Sequence, residues 1–316
     1  MGMPVADVRS RGNMNRQWRN QRERGGRNAL RLIIWLALHC GRTLCRAILA
    51  PISVYFFLTA PLARRSSHAF MCRALGRRAT WYDTFTHLFV FATTLLDRVY
   101  LVSGRQHELT VTVNNEQAFR HALEAGRGCL LLGSHLGSFE MLAIIGSVEK
   151  KLVVNVVMHL DDSARLRDLL PCFGRELPYN VIPLGQPGSM LHVKECLDRG
   201  EVVGILADRI YGDEPAQSLP FLGQAARFSL SPLRLAKVTG APVVMVFGLF
   251  HGGRRYEIVF EPLAARVECS GADGAKPSSL SHHLQSYVES LERNARRAPY
   301  NWFNFYDFWS TEGSSD

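Results

Sequence analysis

The residues best suited to chemistry lie in one short segment, residues 126–140, which reads GRGCLLLGSHLGSFE. An apolar run ends at Gly133, a turn of small residues presents His135, and Glu140 follows five residues later. A carboxylate that holds one imidazole nitrogen fixes the tautomer and leaves the other nitrogen free as a base. Such a pair could deprotonate a hydroxyl or an amine that attacks an acyl group.

The spacing of this pair needs a turn in the chain. On a continuous helix, residues five apart point about 140° away from each other, so His135 and Glu140 can meet only if the chain turns between them. Gly137 allows that turn, and Ser138 is suited to cap a following helix rather than to act as a nucleophile. Spacing alone favours a structural histidine, but the carboxyl end of a buried strand is where open sheets bind ligands.

The elements that position this segment form an alternating pattern. Four short apolar runs fit strands that are covered on both faces, namely Cys129–Gly133, Leu152–Met158, Val202–Ala207 and Pro242–Phe250. Helix-like segments alternate with them, namely Phe139–Val148, Ser163–Leu170, Met190–Arg199 and Pro232–Thr239. The pattern predicts an α/β fold with a mostly parallel or mixed sheet and helices on both faces. We also expect an edge strand at Arg255–Glu261, a loop at Glu268–Ser279 and a closing helix at Leu280–Arg297.

The positive charge of the chain is confined to its first quarter. Residues 1–78 contain 15 Lys or Arg against Asp7 and Glu23, whereas residues 79–316 contain 22 basic against 26 acidic residues. A nucleic-acid-binding protein usually has a basic stripe on its folded domain, so no nucleic-acid partner is expected. The chain has seven scattered cysteines and no C-x-x-C, which predicts reduced thiols and no metal site.

Two apolar stretches, Leu32–Cys40 and Ala47–Ala63, follow an Arg-rich tail. Basic residues flank the second stretch on both sides, and a single crossing would place one basic flank on the disfavoured side of the membrane. We therefore predict an N-terminal helical segment that lies in the cytoplasmic leaflet, with a soluble helical cap as the alternative. The predicted division is a basic tail and helical membrane-associating region at 1–103, then an α/β domain at 104–316.

The segment His135–Glu140 resembles the H-x4-D/E motif of the glycerolipid acyltransferase superfamily, in particular the bacterial lipid A biosynthesis (lauroyl/myristoyl) acyltransferases. Residues 204–223, GILADRIYGDEPAQSLPFLG, are similar to the family's segment in which a strand delivers an Asp and a pocket-forming Pro-Phe follows. Within the family, the sequence WFNFYDFW at residues 302–309 and the tail sequence WRNQRERG at residues 18–25 resemble an aryl-polyene-associated branch. The superfamily's E-G-T-R signature is absent, so a simple glycerol-phosphate acceptor is not expected.

The resemblance implies an acyltransferase, without a cofactor, at the cytoplasmic face of the bacterial inner membrane. Its donor would be an acyl carrier protein or coenzyme A thioester, and its acceptor a hydroxyl or amine of a lipid-like molecule.

It also implies roles for individual residues. His135 would be the general base and Glu140 its orienting partner, and Ser138 would contact substrate. Asp208 and Arg209 would line the site, with Arg209 neutralising an anionic head group or the oxyanion, unless they form a surface ion pair. Phe221 and Gly223 would shape an acyl channel, although core packing suits Phe221 equally well.

Two rival functions remain open from the sequence. One is a lipid or thioester hydrolase, in which His135 activates water. No G-x-S-x-G motif occurs, which counts against a serine α/β-hydrolase. The other is a non-catalytic protein that binds lipid or carrier protein at the membrane surface.

Overall fold

The computed structural model describes residues 27–141, 152–159, 177–267 and 279–309. Over these residues the α-helices are α1 (Arg27–Cys40), α2 (Arg42–Thr59), α3 (Pro61–Leu75), α4 (Trp81–Val102), α5 (Glu116–Glu124), α6 (Ser189–Asp198), α7 (Ser231–Thr239) and α8 (Ser279–Arg297). The strands are β1 (Thr110–Asn114), β2 (Cys129–Gly133), β3 (Val154–His159), β4 (Asn180–Leu184), β5 (Val202–Leu206), β6 (Ala216–Phe221), β7 (Gln224–Ser229), β8 (Val243–Phe250) and β9 (Arg255–Ala264).

Seven of these strands form one mixed sheet in the order β1-β9-β8-β2-β5-β3-β4. The strands β8, β2, β5, β3 and β4 are parallel, whereas β9 runs antiparallel to β8 and pairs in parallel with β1. The remaining pair, β6 and β7, forms a separate antiparallel hairpin. The prediction of an α/β fold with a mostly parallel or mixed sheet is confirmed. Because β2 and β5 are neighbours and parallel, the residues that follow them meet at one edge of the sheet.

Helices cover both faces of the sheet, as predicted. Along β2, Leu130 and Leu132 enter a core formed with α3, α6, α7 and α8. Cys129 and Leu131 point the other way, into a core that contains Phe119 of α5 and Leu101 at the end of α4. This alternation is the period of two expected of a strand buried on both sides.

The expectation of an edge strand at Arg255–Glu261 is wrong in its placement. The strand extends over Arg255–Ala264 and lies between β8 and β1, so β1 is the edge. The sequence of β1, TVTVN, is mostly exposed and short, which is why it gives little apolar signal. Of the predicted helix Phe139–Val148, a 3-10 turn is present at Phe139–Met141.

Some predicted elements fall outside the described residues. These are the rest of the helix predicted after Met141, the helix Ser163–Leu170, the N-terminal tail before residue 27, and the predicted loop up to residue 278.

The N-terminal apolar stretches are helical: Leu32–Cys40 lies in α1, and Ala47–Ala63 spans α2 and the start of α3. Among the described residues, α2 and α4 are long and apolar enough to cross a membrane, by length and composition alone. The sequence reasoning did not anticipate α4, which begins at a capping box formed by Thr80 and Asp83. The division of the chain at residue 104 stays a prediction. Across that boundary, Leu101 of α4 packs in the same core as residues of the strands.

A buried ion pair ties these helices to the sheet. Arg42 of α2 donates from Nε to Oδ1 of Asp97 on α4 at 2.6 Å, and both side chains are buried. Tyr256 of β9 donates its hydroxyl to the other carboxylate oxygen of Asp97 at 2.7 Å. Removing one partner of such a pair costs about 3–5 kcal/mol, because the other charge is left buried and uncompensated. The N-terminal helices are therefore specifically positioned on the α/β core.

Candidate active site

The loop that follows β2 is clamped between β8 and the C-terminal segment. The amide of Gly137 donates to the carbonyl oxygen of Asn301 at 2.7 Å, and the amide of Ser138 donates to that of Gly248 at 2.8 Å. Gly137 has a φ of +77°, and a Cβ atom there would lie 2.0 Å from the carbonyl oxygen of Gly248. Only glycine fits this position, so the turn expected between His135 and Glu140 is present and is fixed by backbone packing.

His135 is held by Asp208, which follows the neighbouring strand β5. Nδ1 of His135 lies 2.8 Å from Oδ1 of Asp208, and the backbone amide of His135 donates to Oδ2 at 3.0 Å. The same Oδ2 accepts from Nδ2 of Asn304 at 2.9 Å and from Nε1 of Trp302 at 3.1 Å. Asp208 is fully buried, and its carboxylate is satisfied by four donors.

The electrostatics of the pair leave His135 as a base. Burial alone would raise the pKa of Asp208, but the charge and hydrogen bonds of His135, together with the Arg209 charge, outweigh burial and lower it to about 2. Burial and the charge of Arg209 lower the pKa of His135 below its usual value, against the opposite effect of Asp208. An ionised carboxylate only accepts hydrogen bonds, so Nδ1 carries the proton and Nε2 carries the lone pair.

Glu140 has a different partner from the one predicted. Its Oε2 lies 2.9 Å from Nε of Arg98 on α4, and it accepts a hydrogen bond from Oγ of Ser138 at 3.1 Å. The carboxylate on Nδ1 of His135 is that of Asp208, so the expected contact between Glu140 and the imidazole is corrected. The physical reason is the 3-10 turn at Phe139–Met141, which lies over the sheet where α4 supplies a cation.

Arg209 is folded onto the C-terminal segment. Its Nε donates to Oδ1 of Asn304 at 2.7 Å, and its Nη2 donates to the carbonyl oxygen of Phe303 at 3.2 Å. Its guanidinium carbon lies 5.9 Å from the ring centroid of Tyr306. Asp208 is buried and paired with His135, so the alternative of a surface ion pair between Asp208 and Arg209 is wrong.

Phe221 and Gly223 lie outside the hydrogen-bonded group formed by His135, Asp208, Trp302 and Asn304. Phe221 is fully buried at the end of β6, and its ring contacts those of Phe228, Trp302, Phe308 and Trp309. Gly223 has a φ of +83° in the tight turn between β6 and β7. Phe221 is therefore a core residue, as the alternative interpretation predicts. Its ring packs against Trp302, which in turn donates a hydrogen bond to Asp208.

Sequence reasoning missed the residues that complete the site. Trp302 and Asn304 bind Asp208, and Asn301 exchanges two hydrogen bonds with the backbone of Phe250 at the end of β8. The available signal is the aromatic run at residues 300–309, a composition that suits either a membrane interface or packing over the sheet's edge. Trp302 is fully buried, so packing over the edge is the arrangement found. Within the described part of the chain, no three His, Cys, Asp or Glu side chains form a metal-binding group.

Comparison with known protein families places the site in a family context. The sequence model of the family described as bacterial lipid A biosynthesis acyltransferase matches residues 85–311. The match covers more than two thirds of the chain and includes all the residues that form the site. No curated protein sequence matches the chain.

The close approach at Gly137 predicts a large effect of a single methyl group. We expect Gly137→Ala to lower the free energy of unfolding by about 3 kcal/mol or more, because it combines a strained positive φ with a backbone collision. Gly223→Ala is the matched control, since its φ is similarly positive but no atom lies within 4 Å of the added Cβ. The control should lose only about 1–2 kcal/mol. Denaturant unfolding in mild detergent measures both, and equal losses would contradict the clamped loop.

Proposed function

The chain belongs to the bacterial lipid A biosynthesis acyltransferase family, and from this premise we propose a membrane-associated enzyme that moves an acyl chain from a thioester to a lipid-like acceptor. The acceptor provides a hydroxyl or an amine, and the donor is an acyl carrier protein or coenzyme A thioester. The observation that carries the proposal is the contact between His135 and Asp208 at the carboxyl ends of β2 and β5.

In this proposal His135 is the general base. Asp208 holds Nδ1–H, so Nε2 points its lone pair at the acceptor and takes the proton as the acceptor attacks the thioester carbon. When the carbon–sulfur bond breaks, the imidazolium returns the proton to the leaving thiolate. Direct attack needs donor and acceptor bound together and involves no acyl-enzyme, so sequential rather than ping-pong kinetics are expected.

The other residues named from the sequence keep proposed roles around this base. Ser138 and Glu140 lie on the same loop and are joined by a hydrogen bond, so we place them beside the reacting groups. Arg209 contacts the C-terminal segment that binds Asp208. An acyl channel shaped by Phe221 and Gly223 stays a prediction, as does membership of the aryl-polyene-associated branch.

Exposed apolar side chains on the first four helices support the proposed membrane association. They are Leu32, Trp35, Leu44, Val54, Tyr55, Phe56, Leu58, Leu62, Trp81, Tyr82 and Leu95. Arginines lie among them, including Arg46 and Arg64, and a mixture of aromatic and basic side chains suits a membrane interface. We propose that this surface rests on the cytoplasmic leaflet of the inner membrane, because basic residues favour that side.

The transfer reaction predicts a product that depends on His135. Lipids from cells that carry the wild-type gene, a deletion or His135→Ala are compared by mass spectrometry. We expect one acylated species to be absent from both mutants, because without the base the acceptor is not deprotonated. A product that is free acid alone would indicate a hydrolase. A normal lipid profile in His135→Ala with an altered profile in the deletion would favour a non-catalytic role.

The contact with Asp208 predicts a change in pH dependence. Asp208→Asn removes a negative charge that raises the pKa of His135, so the acid limb of the pH–rate profile should move to lower pH. The maximal rate should fall by about 100-fold or more, because the amide no longer fixes the tautomer. Initial rates of acylated lipid formation by membranes between pH 5 and pH 8 measure both effects. An acid limb that moved to higher pH would contradict this arrangement.

The exposed aromatic pair at the start of α4 tests membrane association. Trp81 and Tyr82 are 72% and 61% exposed, so we expect Trp81→Ser with Tyr82→Ser to weaken binding to anionic vesicles at least tenfold. Val238→Ser is the control, because Val238 is 76% exposed but belongs to α7 and not to the first four helices. Co-flotation with phosphatidylglycerol-containing vesicles is the measurement. Equal effects of the two changes would remove the support for this surface.

A further inference from the structure

The backbone amides of the catalytic loop are already used within the protein. The amide of His135 donates to Asp208, that of Leu136 to Oγ of Ser134, that of Gly137 to Asn301, and that of Ser138 to Gly248. An acyl transfer develops negative charge on the carbonyl oxygen, and enzymes stabilise that charge with pre-positioned donors. These four amides are not available for that purpose, so a side chain is the better source of the donor.

Two arginines lie near His135, and the structure gives them different surroundings. Arg209 donates to Asn304 and to the carbonyl oxygen of Phe303, so its guanidinium contributes to holding the C-terminal segment. The Arg98 side chain is 36% exposed and forms an ion pair with Glu140. Of the two, Arg98 is the cation that a substrate could reach without disturbing the residues around Asp208.

The helix that carries Arg98 is fixed against the site. His87, Phe91 and Arg98 lie within about 40° of one another around α4. Nε2 of His87 donates to the carbonyl oxygen of Trp302 at 2.9 Å, and the ring of Phe91 lies 5.1 Å from that of Phe303. This face of α4 therefore packs on the C-terminal segment and brings Arg98 to Glu140.

Arg98 also lies close enough to the base to affect it. Glu140 joins Arg98 to Ser138, which is three residues from His135. The positive charge of Arg98 contributes to lowering the pKa of His135. Arg98, Glu140 and His135 are each partly exposed, so none of the three is closed off from solvent.

We propose that Arg98 is a further catalytic residue, whose guanidinium donates to the carbonyl oxygen of the acyl thioester as that oxygen becomes an oxyanion. Glu140 is then a positioning residue that holds the guanidinium in place. This inference rests on the proposed acyl transfer and adds a residue of α4 to it.

The step balances without a further reactant. The acceptor oxygen or nitrogen forms a bond to the thioester carbon, the carbonyl electron pair moves onto oxygen, and Nε2 of His135 takes the acceptor proton. Arg98 remains protonated and donates hydrogen bonds to the oxyanion. The electron pair then returns, the carbon–sulfur bond breaks, and the thiolate leaves with the proton from the imidazolium.

The test compares Arg98→Ala, Arg98→Gln and Arg98→Lys in membranes, with dodecanoyl-coenzyme A as the probe donor and the cells' own lipids as acceptors. We expect the two neutral variants to lose about 100-fold or more in the rate of acylated lipid formation. Their acid limb should move to higher pH, because a positive charge that lowers the pKa of His135 has been removed. Arg98→Lys should keep the wild-type acid limb and recover part of the rate.

Two further variants separate Arg98 from its surroundings. Glu140→Gln should lower the rate in the wild-type background but cause no further loss in the Arg98→Ala background, because Glu140 acts through Arg98. Independent losses in this double-mutant cycle would overturn the positioning role of Glu140. Arg120→Ala is the matched control, since it breaks an ion pair with Glu116 on α5 and should leave the rate unchanged.

The outcomes distinguish this inference from the proposed function. Equal products from the wild type and His135→Ala would overturn the acyl transfer proposal and the role of Arg98 together. Loss of product in His135→Ala, with at least half of the rate retained in Arg98→Ala, would overturn the role of Arg98 alone. If Arg98→Ala does not fold, Arg98→Lys still decides, because a lysine variant with the full wild-type rate would show that the geometry of the guanidinium is not required.

Discussion

The carboxylate of Asp208 is the interaction on which the arrangement of the site depends. A buried charge is stable only if its oxygens are fully hydrogen-bonded, and here the donors come from two distant parts of the chain. The loop after β2 provides the ring and amide of His135, and the C-terminal segment provides Trp302 and Asn304. Satisfying one buried charge therefore requires the aromatic segment to fold across the sheet's edge, and this same packing orients the imidazole.

A second buried carboxylate, Asp97, also joins distant parts of the chain, in this case the N-terminal helices and the sheet. It joins Arg42 of α2 to Tyr256 of β9. The next residue, Arg98, points about 100° away around α4, where it meets Glu140. One turn of α4 thus attaches the apolar helices to the sheet and also contributes a charge that acts on His135. A helix long and apolar enough to cross a membrane therefore also provides a residue of the candidate site, Arg98.

The buried strands β2, β3, β5 and β8 and the turn that presents His135 could be predicted from local sequence, because a buried strand and a glycine-rich turn are local patterns. The partner of His135 could not be predicted from local sequence. The motif pointed to Glu140, and Asp208 was expected only to line the site; the pairing found depends on a 3-10 turn and on a cation from α4. Trp302 and Asn304 are 94 and 96 residues from Asp208, so no spacing rule connects them. The edge position of β1 was missed because its short, exposed sequence resembles a loop.

The order of these parts along the chain has a consequence for synthesis on the ribosome. The helices with exposed apolar side chains emerge first, whereas Trp302 and Asn304 follow every other residue that contacts Asp208. Until translation has passed residue 304, a nascent chain lacks two of the four donors to that carboxylate. The imidazole of His135 is therefore not fully oriented while the protein is being made, and a partly translated chain carries an incomplete candidate site.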